Sequence, residues 1–246
     1  MSDTSTSDGL KATIHQPDFM PWLGFYKKIS KADMWVILDH VENNPRSSGY
    51  WNRVKLLIQG RPHWDTVPIK KPCKNRPIGL RLDEFRIDIE NHRIIKKKLE
   101  SFRQSYGKAP HFDEAFELYR GYFESGEPIL LKRNIEFIEQ TLKILRINAK
   151  RLYSSELNIV SRSSQMLIDI LKSVGACHYV HGDGASGYQD NSLFSENNIS
   201  IEPNNFVHPE YPQITSKSFV PGLSVLDAIA NIGSEGVRSI LDMESA

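Results

Sequence analysis

Two prolines, Pro17 and Pro21, separate a short apolar run from a helical one near the start of the chain, in "ATIHQPDFMPWLGFYKK". Proline has no backbone N–H and a fixed φ, so neither an ordinary helix nor a central strand crosses this stretch. Ala12 to His15 is therefore read as a strand that ends at the histidine. From Trp22 the pattern turns helical, with Leu23, Tyr26 and Ile29 at helical spacing. The next run, "DMWVILDHV" over 33–41, is short, mostly apolar and rich in β-branched and aromatic residues, which suits a buried strand. Strand, helix and strand in this order form a parallel crossover unit, normally right-handed.

The rest of the chain extends the pattern. "YWNRVKLLI" reads as a strand, Gln59-Gly60-Arg61-Pro62 as a turn and "HWDTVPI" as its hairpin partner. "FRIDIE" is a further strand candidate. From His92 the character changes: Ile95, Leu99, Phe102 and Tyr106 share one helical face, and Ile135, Ile138, Leu142 and Leu145 repeat the pattern. The basic run Ile94 to Lys98 reads as a solvated helix face. After this helical section, over about 92–147, strands and helices alternate again. "AKRLYSSEL" is a strand ending at Ser154-Ser155, Ser164 to Val174 a helix with Gly175 at its C′ position, and "CHYVHG" a strand ending at Gly182. "ISIEPNNF" is a last strand, and "SVLDAIANIG" a closing helix that Gly233 stops. The expected class is α/β, with a mostly parallel sheet flanked by helices and a helical section in the middle third. Residues 1–10 are read as a disordered lead-in, 11–240 as a single domain and 241–246 as a frayed tail.

Lys plus Arg is 31 and Asp plus Glu is 30, so no global field favours nucleic acid or a membrane surface; an anionic ligand needs a local site. No apolar run is long enough to span a bilayer, and the start lacks the pattern of a signal peptide. The two cysteines, Cys73 and Cys177, fit neither a disulfide framework nor a zinc spacing, which agrees with a cytoplasmic protein. No metal site is expected.

Ligands of open parallel sheets bind beyond the carboxyl ends of strands, and three polar segments fall at such ends. The first is His15-Gln16-Pro17-Asp18. A neutral imidazole there takes a proton from an attacking amine or hydroxyl, or donates to a phosphate; Asp18 either orients His15 or caps the next helix. The second is Ser154-Ser155, which bonds a ligand or caps the turn. The third, from Gly182 through Gly184 to Gly187, is either a phosphate cradle of backbone N–H groups or a tight turn. Just past it, Tyr188 and Asp190 either read sugar hydroxyls or, in the case of Asp190, cap a helix. Asn52 and Arg53 interrupt a strand with an amide and a charge, and Arg53 suits a phosphate or carboxylate, or simply faces outward from an edge. Trp22, Trp35 and Trp51 read as core, and so does Cys177. HExxH and GxSxG are absent.

Taken in order from Ile14 to Gly233, the stretches "IHQPDFMPWLGFYKKISKADMWVILDHV", "YWNRVKL", "YSSEL", "GACHYVHGDGASGYQD" and "YPQ…SFVPGLSVLDAIANIG" resemble the WbqC-like proteins. The resemblance implies a place in bacterial O-antigen (lipopolysaccharide) and polysaccharide biosynthesis, with a glycine transferase role suggested for the family. It brings no catalytic residue with it, so the assignments above rest on chemistry.

Joined to the residues, the resemblance implies transfer of glycine or a similar small acyl group to the amine of a nucleotide-linked amino sugar. His15 would be the base, held by Asp18. Backbone N–H groups from Gly184 to Gly187 would meet an oxyanion or phosphate, Arg53 a diphosphate, and Asn52, Tyr188 and Asp190 the sugar hydroxyls, with Gln16, Ser154, Ser155 and Gly182 beside them. The donor is then ATP or an acyl or aminoacyl carrier, the latter bringing an acyl-carrier protein as partner. Two alternatives stand. One is an ATP-dependent amide ligase working through an acyl-adenylate, although Phe19 to Trp22 occupy the place of the second histidine of such folds. The other is a protein that binds a nucleotide sugar or carrier without catalysis. A sugar-polymerising glycosyltransferase would need an acidic metal motif, for which Asp39 is the only trace.

Overall fold

The structure, a computed structural model, describes residues 9–43, 49–70, 80–88, 90–182 and 190–242. In chain order its elements are β1 (Lys11–His15), α1 (Leu23–Ser30), β2 (Met34–Ile37), β3 (Glu42–Asn43), β4 (Arg53–Ile58), β5 (Arg61–Thr66) and β6 (Leu80–Arg81). There follow α2 (His92–Tyr106), α3 (Phe112–Glu124), α4 (Leu130–Ile144), β7 (Lys150–Tyr153), α5 (Ser163–Ser173), β8 (His178–His181), α6 (Asn191–Glu196), β9 (Ser200–Pro203) and α7 (Val225–Asp242). They fall into two compact units. The first takes the chain up to His15, 27–38 and 149–205; the second takes 16–26, 39–148 and the chain from Phe206.

The first unit is built on a five-stranded sheet in the order β7-β2-β1-β8-β9, and every pairing in it is parallel. The α/β class expected from the sequence is thus the class observed. Ala12, Thr13 and Ile14 of β1 are all buried, without the alternation of a one-sided strand, because a parallel sheet is covered on both faces. Thr13 satisfies its hydroxyl by donating to the Val180 carbonyl at 2.8 Å. Ala12, Ile14 and Val36 pack with Ile168, Ile170 and Leu171 of α5, and Leu10 packs against the same core. Tyr179 and Phe194 stack at 5.6 Å, fastening α6 to β8. Gly175 adopts φ +72° behind α5, as a C′ residue should.

The second unit holds the antiparallel hairpin β4–β5, the helices α2 to α4 and the closing helix α7. The hairpin turns through Gln59 and Gly60 alone, both at positive φ, which is the two-residue connection that matches strand twist. Arg61 and Pro62 belong to β5 rather than to the turn. A Cβ on Gly60 would lie 2.4 Å from the Thr215 carbonyl oxygen. Gly60→Ala is therefore expected to destabilise the protein by about 2 kcal/mol, from left-handed backbone plus a contact that backbone cannot relieve; urea unfolding reads it, and an unchanged midpoint would contradict it.

Phe102 of α2 stacks on Tyr106 at 4.6 Å and on Tyr119 of α3 at 4.4 Å, so the apolar face read from the sequence is the one buried. Lys98 departs from the reading of its neighbours as a solvated face. It pairs with Asp65, which also accepts from the Tyr119 hydroxyl at 3.0 Å. Among its described residues "FRIDIE" forms no strand: Arg86 and Ile87 make isolated bridges to Ile129 and Ile69. Gly233 ends one helical run at φ 69°, but a second resumes and carries α7 to Asp242.

Asp227 of α7 is fully buried and accepts three hydrogen bonds: from the Tyr106 hydroxyl at 2.9 Å, the Tyr211 hydroxyl at 2.8 Å and the Gln213 amide at 3.0 Å. Burial raises its carboxyl above the usual carboxylate range, and the three donors only partly oppose that. Tyr106 in turn accepts from the Leu57 N–H at 2.8 Å, which joins α7 to β4 through one hydroxyl. Among the described residues no helix is long and apolar enough to cross a membrane.

Candidate functional site

In the first unit the chain winds outward from β1 in both directions, to β2 and β7 on one side and to β8 and β9 on the other. The strand order therefore reverses between β1 and β8, and a ligand crevice of an open parallel sheet opens at such a point, outside the carboxyl ends. β1 ends there at His15 and β8 at His181. Lys11 pairs with His178 and Ala12 with Tyr179, and the same register sets His15 level with Gly182. His15 is half-buried, and its carbonyl accepts from the Leu38 N–H at 3.0 Å and from the Trp35 indole at 3.3 Å, so its backbone is fixed.

Two neighbours of this edge were not singled out in the sequence. His181 is buried and donates from Nδ1 to the Gly182 carbonyl at 3.0 Å, since a carbonyl only accepts. Lys28 of α1 is only 3% exposed. Its Nζ lies 3.8 Å from where a Cβ on Gly182 would stand. A buried lysine thus stands at the end of β8, where a Gly-rich segment of the sequence begins, a combination that suits an anionic ligand.

The other residues expected at strand ends divide. β7 ends at Tyr153, level with Ile37, and Ser154 and Ser155 open the 3-10 turn behind it, Ser154 buried and Ser155 exposed. Gly184 and Tyr188 lie outside the described residues. Asp190 is exposed and caps α6, accepting from the Ser192 N–H at 3.1 Å and the Ser192 hydroxyl at 2.6 Å. Those bonds hold its carboxyl below the usual range. The capping alternative is the one realised.

Gln16, Asp18, Asn52 and Arg53 belong to the second unit. The segment after His15 is irregular, as its prolines require, and its backbone groups are held one by one. The Asn134 amide donates to the Pro17 carbonyl at 2.9 Å and to the Trp51 carbonyl at 2.8 Å, while its oxygen accepts from the Tyr122 hydroxyl at 2.8 Å. The Phe19 N–H donates to the Tyr50 carbonyl at 2.8 Å, the Ser224 hydroxyl donates to the Met20 carbonyl at 2.8 Å, and the Val225 N–H donates to the Pro21 carbonyl at 2.9 Å. Gln16 donates to Asn43 at 3.5 Å. Asp18 is buried, and its charge adds to the burial that pushes the Tyr26 hydroxyl far up.

Asn52 is buried, and its Oδ1 has no hydrogen-bond partner among the described residues. An orphaned buried acceptor is uncommon and marks a place for a donor. Arg53 lays its guanidinium 4.3 Å over the Trp64 ring, with Lys55 5.2 Å from the same ring. The cation–π contact fixes the plane of Arg53 while leaving N–H edges for an anion. Trp35 and Trp51 are core, as read from the sequence, whereas Trp22 is half-buried. Among the described residues no three of His, Cys, Asp and Glu gather to hold a metal ion.

The chain is 26% identical over 227 residues to the uncharacterized protein Rv1507c of Mycobacterium tuberculosis, covering 92% of this chain and 95% of that protein. No solved structure gives a significant match. The model of the WbqC-like protein family matches residues 16–239, from the residue after His15 to the second run of α7. With nearly the whole chain inside that match, this protein belongs to the WbqC-like protein family.

Proposed function

We propose that the protein transfers glycine, or a similarly small acyl group, to the amine of a nucleotide-linked amino sugar in bacterial surface-polysaccharide biosynthesis. The observation that carries this reading is the meeting of His15, Gly182 and Lys28 at the carboxyl edge where the strand order reverses. It supports a ligand site that has a histidine and a lysine at one edge of the sheet; the polysaccharide setting comes from the family resemblance.

In the step itself the sugar amine attacks the acyl carbonyl carbon. A C–N bond forms, the bond from that carbon to the donor's leaving group breaks, and the amine proton passes to His15. The leaving group is a carrier thiolate or, with an acyl-adenylate, AMP. Lys28 holds anionic charge of donor or acceptor, and the absence of a side chain at Gly182 lets the ligand approach the backbone.

The test is incubation of the full chain with a panel of nucleotide-linked amino sugars, glycine and ATP, with and without a glycyl-loaded carrier protein. Intact-mass detection is expected to show one glycyl residue gained by the sugar, and the requirement for ATP or carrier identifies the donor. No gain with any donor, while a sugar nucleotide still binds, would replace this reading by one of binding and delivery.

A further inference from the structure

A recess of about 260 Å³ in the second unit is lined by Trp22, Tyr50, His208, Pro221 and Gly222. Three of these five residues are aromatic rings. Trp22 lies 5.2 Å from His208 with the planes tilted by 30°, and Phe206 stands edge-on to both. Tyr50 is 57% exposed, while Trp22, His208 and Gly222 are half-buried. The walls are fixed from behind: Trp22 bridges Ser224, and Pro21 accepts from the Val225 N–H.

His208 gives the recess its polarity. The Gly222 N–H donates to its Nε2 at 3.1 Å. That nitrogen is therefore bare, and the proton of the neutral ring is on Nδ1. Nδ1 is buried and has no hydrogen-bond partner among the described residues. Burial also lowers the pKa of this histidine, in agreement with a neutral ring. An N–H donor left without a partner among aromatic rings is the arrangement that a ligand acceptor would complete.

We propose that this recess binds a nucleobase, its ring against Trp22 and Tyr50 and one of its acceptor atoms on the Nδ1–H of His208. A sugar fits the same faces less well. It carries hydroxyls around its whole ring, whereas the lining side chains offer three polar groups, the Tyr50 hydroxyl, the Trp22 indole N–H and the His208 N–H. A base presents two bare π faces and polar atoms only on its edge, which matches aromatic walls with few polar groups. The volume suits one ring system rather than a whole nucleotide sugar. The recess lies wholly within the second unit, and the inference holds whether or not glycyl transfer occurs.

The test is binding of uridine, cytidine, adenosine and guanosine to the full chain, each followed by saturation-transfer NMR and tryptophan fluorescence, with methyl glucoside and N-acetylglucosamine as parallel arms. At least one nucleoside is expected to bind saturably, with its base protons, not its ribose protons, closest to the protein. Tyr50→Ala removes an exposed ring, and His208→Phe keeps the shape while removing the donor. Each is expected to weaken binding about tenfold or more, with the urea midpoint of the Tyr50 variant unchanged. The proposal is overturned if no nucleoside binds at millimolar concentration, if both variants bind as well as the parent, or if the saccharides bind here as tightly as the nucleosides.

Discussion

Asp227→Ala is expected to lower the stability of the protein by about 3 kcal/mol or more. The substitution leaves the hydroxyls of Tyr106 and Tyr211 and the amide of Gln213 without their acceptor. Each buried donor so stranded costs about 1–3 kcal/mol. The effect is read as a fall in the urea midpoint, and Tyr211→Phe, which removes one donor together with its need for a partner, should cost far less. An Asp227→Ala protein with the parent's midpoint would mean that the three donors find other partners. Asp227→Asn isolates the charge. Because burial raises the folded pKa of Asp227 above the unfolded value, the folded chain holds this proton the more tightly. The contribution is present in full below the ordinary carboxylate range and is lost as pH rises through the folded value. The asparagine variant lacks that titration, so its stability should vary less with pH over the same interval.

His15→Ala is expected to lower kcat for glycyl transfer about 10²–10⁴-fold, the usual range for loss of a general base, with KM for the amino sugar nearly unchanged. His15 is half-buried at a strand end, so the variant should fold, and circular dichroism would verify it. A base also leaves a signature in the pH profile: the acidic limb of kcat/KM should disappear with the imidazole. Lys28→Met is expected to act differently and to raise KM, because in the proposed reaction Lys28 holds a ligand rather than moving a proton. Full activity in the His15 variant would end the base assignment; intact binding of a nucleotide sugar with no turnover in the parent would favour the delivery role.

Much of the first unit was legible in the sequence because local rules and tertiary packing agree there. Pro17 and Pro21 mark the end of β1 whatever lies around them, and the apolar run of β2 needs cover on both faces. His15 and Gly182 at strand ends follow from that pattern. Lys28 was not legible. In "FYKKIS" it is one of two adjacent lysines on a short helix, and sequence spacing does not distinguish the one that is buried. Lys98 hid in the same way inside a run of three lysines, although it follows Ile95 by one helical turn and so borders the apolar face. His208 sits in a segment without regular structure, where no periodicity says which side chains converge. "FRIDIE" shows the opposite failure. Its alternation is real, since Phe85 and Ile87 are buried, but each neighbouring backbone supplies only a bridge and no ladder forms.

The path of the chain has a consequence for its birth. β1 pairs with β2 and β8 with β9 over short distances, but β2 takes β7, and β1 takes β8, from beyond Ala149. On the ribosome, β1 and β2 emerge first with their outer edges unpaired, and they wait while the whole stretch 39–148 is made. Long closures of this kind slow folding and leave strand edges open to wrong partners. The nascent chain is most vulnerable to aggregation in that interval, and a ribosome that stalls before Ala149 releases a chain whose parallel sheet has nothing to close on.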